Sequence, residues 1–210
     1  MRTTILAVIL TIFLLGAIRL EPSAEAAKKV TCATCPVAAV DAHATTPLGS
    51  VNKTSGCHVQ NGSAGLPMQD PDCTPGALNP TVTEAILKSD NFRTGCVRNC
   101  ITSESAKHIV YTNYGIREDR ATCELDHLVP LELGGADSLN NIWPQCGPAH
   151  AKGMKIFFKE KDQVEDYLTT RVKSGDMSLR DAQERIAKDW TTIREEAATF
   201  CASHKCGSEQ

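Results

Sequence analysis

Apolar residues in the C-terminal half of the chain recur at the spacing of amphipathic helices. One stripe predicts a helix over residues 103–114, with Ser103 as its cap and Gly115 as its stop. A second predicts a long helix over about residues 156–172, and a third begins after Ser178. The residues expected on the buried faces are Ala106, Ile109, Val110 and Tyr114 in the first helix, Phe157, Val164, Leu168 and Val172 in the second, and Leu179, Ala182, Ile186, Trp190 and Ile193 in the third.

Residues 27–72 show no such period. They are rich in Thr, Ser, Gly, Pro and Asn, and they include three cysteines. A segment of this composition buries little apolar surface, so we predict that it is loop-rich and held by disulfides. Residues 73–210 are expected to form the main domain. The chain as a whole is predicted to be α+β, mainly helical, with one small hairpin.

The hairpin is predicted between the first and second helices. Residues 123–146 read CELDHLVPLELGGADSLNNIWPQC, which places two short apolar runs on either side of a turn at Gly134 and Gly135. If the two strands pair antiparallel around that turn, Cys123 and Cys146 come close enough to bond. We therefore predict a disulfide that clips the hairpin.

Asp126 and His127 stand side by side at the end of the first predicted strand. Neighbouring residues on a strand point to opposite faces, so the pair favours two different roles over joint ligation of one metal ion. A carboxylate can hold a divalent cation, and a neutral imidazole can remove a proton from water. This division of roles fits the hydrolysis of a phosphodiester.

The same segment resembles the HNH, or ββα-metal, nuclease motif, in which two strands and a helix pack around one catalytic metal ion. The runs DHLVPLELGG and NIWPQ, followed by KDQVEDYL and GDMSLRDAQERIAKDW, are similar to a bacterial subfamily of HNH-like endonucleases, over about residues 73–196. The resemblance implies a ββα-metal core within residues 123–161. It also implies metal-dependent cleavage of DNA, with RNA as a further substrate.

The resemblance assigns roles by position in the motif. Asp126 is implied to be a metal ligand, His127 the general base, and Asn141 the residue that fixes the hairpin and orients the base. The third motif position, nine residues beyond Asn141, is His150, which is implied to be the second metal ligand. In the subfamily the helix is registered on the KDQVEDYL run, so an alternative treats residues 146–157 as an insertion. The implied cofactor is one divalent ion, Mg²⁺ first, with Mn²⁺ and Zn²⁺ as alternatives.

The N-terminus is typical of a secretory signal. A basic start precedes an unbroken apolar run over residues 5–18, and the sequence AEA at residues 24–26 provides a small-x-small cleavage site. We predict a signal peptide over residues 1–26. The run is too short for a membrane anchor, so the expected product is a secreted or periplasmic protein with no stable membrane association.

All ten cysteines follow this predicted signal. An even, high cysteine count behind an export signal favours disulfides in an oxidising compartment. The alternative is a zinc site built from two pairs, Cys32 with Cys35 and Cys201 with Cys206.

The formal net charge of −3 does not favour a nucleic-acid partner, because such proteins usually carry a basic surplus. A local cluster of lysines nevertheless favours such a partner. It follows the motif and is predicted to form a basic rim, with Lys152 and Lys155 as candidate substrate-binding residues beside Lys159 and Lys161. The alternative for these lysines is the solvated face of a helix. The second hypothesis for the whole chain is a non-catalytic exported binding or structural module on the same ββα scaffold.

Overall fold

The computed structural model describes residues 35–98, 107–117, 123–147 and 154–206, with side chains from residue 160 onward in the last range. Several predictions from the sequence lie outside the described residues: the signal peptide over residues 1–26, the Ser103 cap, Ala106, His150 and Lys152, together with the side chains of Lys155, Phe157 and Lys159.

The N-terminal part, residues 35–98, is mostly irregular. It contains two small antiparallel pairs, β1 (Thr46–Pro47) with β4 (Ala77–Leu78) and β2 (Gln60–Asn61) with β3 (Pro67–Met68). One short helix, α1 (Glu84–Leu87), follows, and the Thr83 hydroxyl caps it by accepting a hydrogen bond from a backbone N–H. The disulfides Cys35–Cys96 and Cys57–Cys73 cross-link this part. The loop-rich, disulfide-tied segment predicted here is therefore present.

The predicted hairpin is formed by β5 (Cys123–His127) and β6 (Ile142–Cys146), which pair antiparallel. Cys123 lies opposite Cys146, and the two are joined by a disulfide with their Cα atoms 4.0 Å apart. The sequence prediction of this disulfide is thus confirmed. The same register places Asp126 opposite Trp143.

The connection between these strands is larger than the predicted Gly-Gly turn. It runs over residues 128–141 and contains two 3₁₀ turns, Leu131–Leu133 and Leu139–Asn141. Gly134 ends the first of them with a φ of +72°, in the left-handed region that favours glycine. A Cβ on Gly135 would lie 1.8 Å from the carbonyl oxygen of Val129. Gly134 is therefore required by its backbone angle, and Gly135 by the close approach of the Val129 backbone.

The helix predicted over residues 103–114 is described from residue 107, where α2 (Ile109–Asn113) ends before Gly115 at a φ of +60°. Val110 and Tyr114 are buried against the hairpin, as predicted. The prediction is wrong for Ile109, which is 46% exposed. The buried apolar residues of this segment are Val110, Tyr111 and Tyr114, and Ile109 lies outside the face that they form.

The C-terminal part is helical. It contains α3 (Met154–Ser174), α4 (Leu179–Asp189) and α5 (Arg194–Cys201). The predicted faces of the second and third helices are confirmed, because Val164, Leu168, Val172, Leu179, Ala182, Ile186, Trp190 and Ile193 are all buried. Burying each of the large aliphatic side chains contributes about 2 kcal/mol.

The ends of these helices follow from local chemistry. Gly175 ends α3 at a φ of +85°, and the Ser178 hydroxyl accepts a hydrogen bond from Asp181 N at the start of α4. The predicted third helix is interrupted at Asp189, whose carboxylate accepts a hydrogen bond from Thr191 N and starts the 3₁₀ turn Trp190–Ile193. The tail forms its own disulfide, Cys201–Cys206.

Two apolar clusters contain residues of the hairpin or of the loop that connects its strands. The larger is built on α3 and α4 and includes Trp190, whose indole N–H donates to the carbonyl of Pro67 in the N-terminal part. The smaller contains Ile142 and Trp143 of β6 together with the Cys57–Cys73 disulfide. The fold is α+β and disulfide-rich. Among the described residues, no helix has the length and hydrophobicity needed to cross a bilayer.

Candidate functional site

A cavity of about 180 Å³ opens at the end of β5. The hairpin provides one wall, the loop that follows β5 and the helix α3 provide further parts, and the segment around the Cys35–Cys96 disulfide provides another wall. The lining residues are Thr94, Arg98, Asp126, His127, Pro130, Leu131, Glu132 and Glu165. Asp126 and His127, the two residues singled out from the sequence, therefore meet at the same cavity.

Asp126 is held by one of its two carboxylate oxygens. Its Oδ2 accepts a hydrogen bond from the indole N–H of Trp143 at 2.9 Å and lies 2.8 Å from Nζ of Lys161. Trp143 can donate because it stands directly opposite Asp126 in the hairpin. Within the part of the chain that the structure describes, Oδ1 has no hydrogen-bond partner, so one oxygen of Asp126 is left for another cation or donor.

Lys161 lies beneath this carboxylate with a fully buried side chain. Its ammonium contacts Asp126 and Glu165 and donates to the carbonyl oxygen of His127 at 2.9 Å. Burial alone would lower the pKa of Lys161, but the charges of the two carboxylates outweigh burial and raise it. The prediction that Lys161 belongs to an exposed basic rim is wrong, because the hairpin supplies buried oxygens that hold its charge inside the protein.

Glu165 is the second carboxylate on this lysine. Burial raises the pKa of Glu165 well above its ordinary value, and repulsion from Asp126 and Glu132 adds to the effect while Lys161 opposes it. One ammonium facing two carboxylates balances one negative charge. The negative charge that Lys161 does not offset therefore favours proton binding at Glu165.

Glu132 lies half-buried on the loop after β5 and accepts a hydrogen bond from the Thr169 hydroxyl at 3.1 Å. Because it lines the cavity together with Asp126 and Glu165, it is part of the site. Glu132 stands in the 3₁₀ turn Leu131–Leu133 just before Gly134, and in the sequence a glutamate in such a turn is typical of a solvent-facing residue. The fold of the loop turns it inward.

His127 is held through its Nε2 atom, which lies 2.9 Å from Oδ1 of Asp137. Asp137 is buried and also contacts Nζ of Lys107, at 2.8 Å from Oδ1 and 3.0 Å from Oδ2. Burial alone would raise the pKa of Asp137, but the hydrogen bonds and charges of His127 and Lys107 lower it to about 2.

This arrangement fixes the tautomer of the neutral imidazole. A carboxylate ionised at neutral pH can only accept, so Nε2 of His127 carries the proton and donates it to Asp137. Nδ1 is then the nitrogen with a free lone pair, and it has no hydrogen-bond partner within the described ranges of the chain. His127 can therefore accept a proton through Nδ1.

The strand alternation that separates Asp126 from His127 is visible in their partners. Asp126 bonds to Trp143 and Lys161, whereas His127 bonds to Asp137. Both side chains nevertheless reach one cavity, because β5 ends at His127 and the cavity lies at that end.

Asn141 holds the loop that carries these residues. Its fully buried amide donates to the carbonyl oxygens of Val129 and Ala136, and its Oδ1 accepts from the backbone N–H groups of Val129 and Ala77. Three of these bonds join the two sides of the connection between β5 and β6, and the fourth ties it to Ala77 in β4. The implied role of Asn141 in fixing the hairpin matches these contacts.

Sequence reasoning missed Asp137, Lys107 and Glu165. Asp137 follows Gly134, Gly135 and Ala136, which is the composition of a turn, and nothing in that pattern marks a buried partner for His127. The proposed second metal ligand, His150, and the proposed substrate-binding residue Lys152 lie outside the described residues. In residues 35–98, 107–117, 123–147 and 154–206, no group of three or more His, Cys, Asp or Glu side chains is arranged to hold a metal ion.

The cysteines of the described part are all in disulfides. Cys35 is bonded to Cys96, and Cys201 to Cys206. The zinc alternative for these cysteines is therefore wrong. The four disulfides of the described residues indicate an oxidising, extracellular-type environment.

A further carboxylate, Glu124, lies on β5 two residues before Asp126. Burial raises its pKa, and repulsion from Asp126 and Asp162 adds to the effect, so that the pKa reaches about 7. Ionising Glu124 beside Asp126 and Asp162 therefore costs free energy in the folded protein.

Comparisons with protein-family models, with curated proteins and with solved structures found no match to this chain.

Proposed function

We propose that the protein is an exported, metal-dependent endonuclease of the ββα-metal (HNH) type that hydrolyses phosphodiester bonds of DNA, with RNA as a second substrate. The observation that carries the proposal is the shared cavity. There Asp126 offers one carboxylate oxygen and His127 one basic nitrogen, each held from behind by a buried partner.

His127 is the proposed general base. Asp137 keeps the proton on Nε2, so Nδ1 can take a proton from a water molecule at the cavity end of β5. Lys107 keeps Asp137 ionised and thereby keeps the imidazole in this tautomer. Asn141 holds the loop, so the imidazole needs little reorganisation when the proton moves.

Asp126 is the proposed metal ligand, and its environment suits a hard divalent cation. Oxygen donors are preferred by Mg²⁺ and Mn²⁺, and Mg²⁺ commonly uses only one or two protein carboxylates and completes its shell with water and phosphate oxygens. Asp126 would hold the ion through Oδ1, with His150 as the second ligand implied by the motif. When bound, a divalent ion supplies positive charge at the phosphate and the leaving oxygen.

The second candidate function is a non-catalytic binding module on the same scaffold. The observation that favours it is the ion pair between Asp126 and Lys161. A buried ammonium on one carboxylate oxygen weakens the attraction of that carboxylate for a second cation. Titration of the purified protein with Mn²⁺, followed by calorimetry, separates the two: the nuclease binds the ion and loses binding in Asp126→Ala, and the module does not bind it.

Conversion of supercoiled plasmid to nicked circles tests the activity. The oxidised wild-type protein is expected to nick plasmid with Mg²⁺ or Mn²⁺ and to stop when a chelator is added. His127→Ala should lower the rate by at least roughly 100-fold, since general base catalysis contributes that much or more.

His43→Ala is the matched control, because His43 is exposed and is not among the residues that line the cavity. It should nick at the wild-type rate. His43→Ala should keep the wild-type melting temperature, whereas His127→Ala should lose stability with its hydrogen bond to Asp137, so nicking is compared well below both melting temperatures. If His127→Ala nicks as fast as the wild type, the assignment of the base is wrong.

Export is also a proposal. Passage through a secretory signal at residues 1–26 would deliver the chain to an oxidising compartment, outside the cell or in the periplasm, where its disulfides form.

A further inference from the structure

One wall of the cavity comes from the segment that contains the 3₁₀ turn Thr94–Cys96. Thr94 and Arg98 both line the cavity, four positions apart on this segment. Neither belongs to the motif that pointed to Asp126 and His127. This wall therefore requires its own explanation.

Two of the three residues between them, Cys96 and Val97, anchor the wall. Cys96 is buried and bonded to Cys35, and Val97 is fully buried in the larger apolar cluster. The N–H of Val97 also donates to the carbonyl oxygen of Thr94 at 3.1 Å. The backbone that presents Arg98 is thus fixed by a covalent bond and a packed side chain directly before it.

The charges around the cavity call for a cation on this wall. Asp126, Glu132 and Glu165 contribute acidic groups, and the ammonium of Lys161 is fully buried beneath two of them. Among the described lining residues, Arg98 is the only one with a permanent positive charge, and it is exposed. A phosphodiester approaching the hairpin therefore meets negative charge on one wall and a guanidinium on the other.

The chemistry of this wall suits a phosphate group. A guanidinium donates two parallel hydrogen bonds to phosphate oxygens, which a lysine ammonium cannot do. The hydroxyl of Thr94 forms no hydrogen bond within the described residues, so it remains available as a further donor.

We propose that Thr94 and Arg98 form the phosphate-holding wall of the site, with Arg98 binding the non-bridging oxygens of the phosphodiester that His127 and Asp126 face. The inference rests on the proposed function and deepens it, because it names the residues that recognise the substrate. Recognition through the phosphate alone predicts binding that depends on salt concentration.

Binding of a short fluorescein-labelled duplex DNA, measured by fluorescence anisotropy with a chelator present, tests this wall without hydrolysis. Arg98→Ala should weaken binding roughly 10- to 100-fold, the loss expected for charge-assisted hydrogen bonds to a phosphate. It should also reduce the slope of log K against log salt concentration by about one. The affinity of Arg98→Lys should lie between those of the wild type and Arg98→Ala. Thr94→Val should weaken binding roughly threefold.

Arg180→Ala is the matched control, because the Arg180 side chain is 85% exposed on α4 and does not line the cavity. It should keep wild-type affinity and salt slope. Thermal unfolding of each variant checks that it is folded at the temperature of the binding assay.

Parallel cleavage of the same DNA with Mg²⁺ distinguishes the two proposals. If Arg98→Ala loses binding but no form of the protein cleaves, the phosphate wall stands and the nuclease does not. If the wild type cleaves and Arg98→Ala keeps wild-type affinity and salt slope, the wall is overturned and the nuclease stands. Loss of binding in Arg180→Ala equal to that in Arg98→Ala, or no binding by the wild type, also overturns the wall.

Discussion

Replacing Asp137 by Asn tests the buried chain of contacts behind His127. The pKa of Asp137 falls from 3.8 to about 2 on folding, which corresponds to about 2 kcal/mol of stabilisation of the folded state. The amide also leaves the buried ammonium of Lys107 facing a neutral group, and breaking a buried ion pair costs about 3–5 kcal/mol. We expect Asp137→Asn to lose about 3 kcal/mol at neutral pH, between these two figures.

The pH dependence identifies the cause. Because the folded-state pKa lies below that of the unfolded chain, the stabilisation is complete above about pH 5 and is lost as the pH falls toward about 2. Urea unfolding of both proteins, with disulfides intact, should therefore give a free-energy gap that is largest at neutral pH and shrinks by about 2 kcal/mol in acid. Other carboxylates titrate in both proteins and cancel in the difference.

Asp90→Asn is the matched control, because Asp90 is exposed on the loop after α1. It should change stability by less than about 0.5 kcal/mol at every pH. A gap between wild type and Asp137→Asn that is the same in acid and at neutral pH would refute the ion-pair reasoning. So would an Asp137→Asn protein as stable as the wild type.

Two further perturbations concern the hairpin. Burial and the neighbouring carboxylates raise the pKa of Glu124 from 4.5 to about 7, so the wild type loses stability as the pH rises through this window. Glu124→Gln should be more stable than the wild type by about 1 kcal/mol at about pH 8, allowing for its partial exposure, and should show no gain below about pH 4 in urea unfolding. Replacing Cys123 and Cys146 together by Ala should cost about 3 kcal/mol, because the bond closes a sequence separation of 23 residues. The same change at Cys201 and Cys206, separated by 5 residues, should cost less, and an equal loss in thermal unfolding would contradict this explanation.

Those parts of the site that depend on local pattern were predictable from the sequence. The pairing of Cys123 with Cys146 follows from the antiparallel hairpin, and the faces of α3 and α4 follow from helical spacing. Asn141 came from the motif resemblance, and its three hydrogen bonds within the loop, with a fourth to Ala77, explain why that position needs an amide. The hairpin disulfide and the helix faces each follow from a pattern within one short segment.

The remaining parts depend on contacts between distant segments. Lys161 looks like a surface residue in the sequence, because a buried lysine is stable only where the fold brings oxygens to it, and those oxygens come from β5. Asp137 and Lys107 are joined across 30 positions and meet only after the hairpin loop has formed. Ile109 was misassigned because a helical stripe does not reveal how much of it a neighbouring element covers.

The hairpin and the segment that carries Arg98 are each held by a disulfide: Cys123–Cys146 in the hairpin, and Cys35–Cys96 two residues before Arg98. Thiols stay reduced in the cytosol, so a newly made chain would reach its compartment before either bridge closes. For the proposed nuclease, we expect the protein to be inactive until these disulfides form. The DNA of the producing cell would then be protected until the protein has been exported.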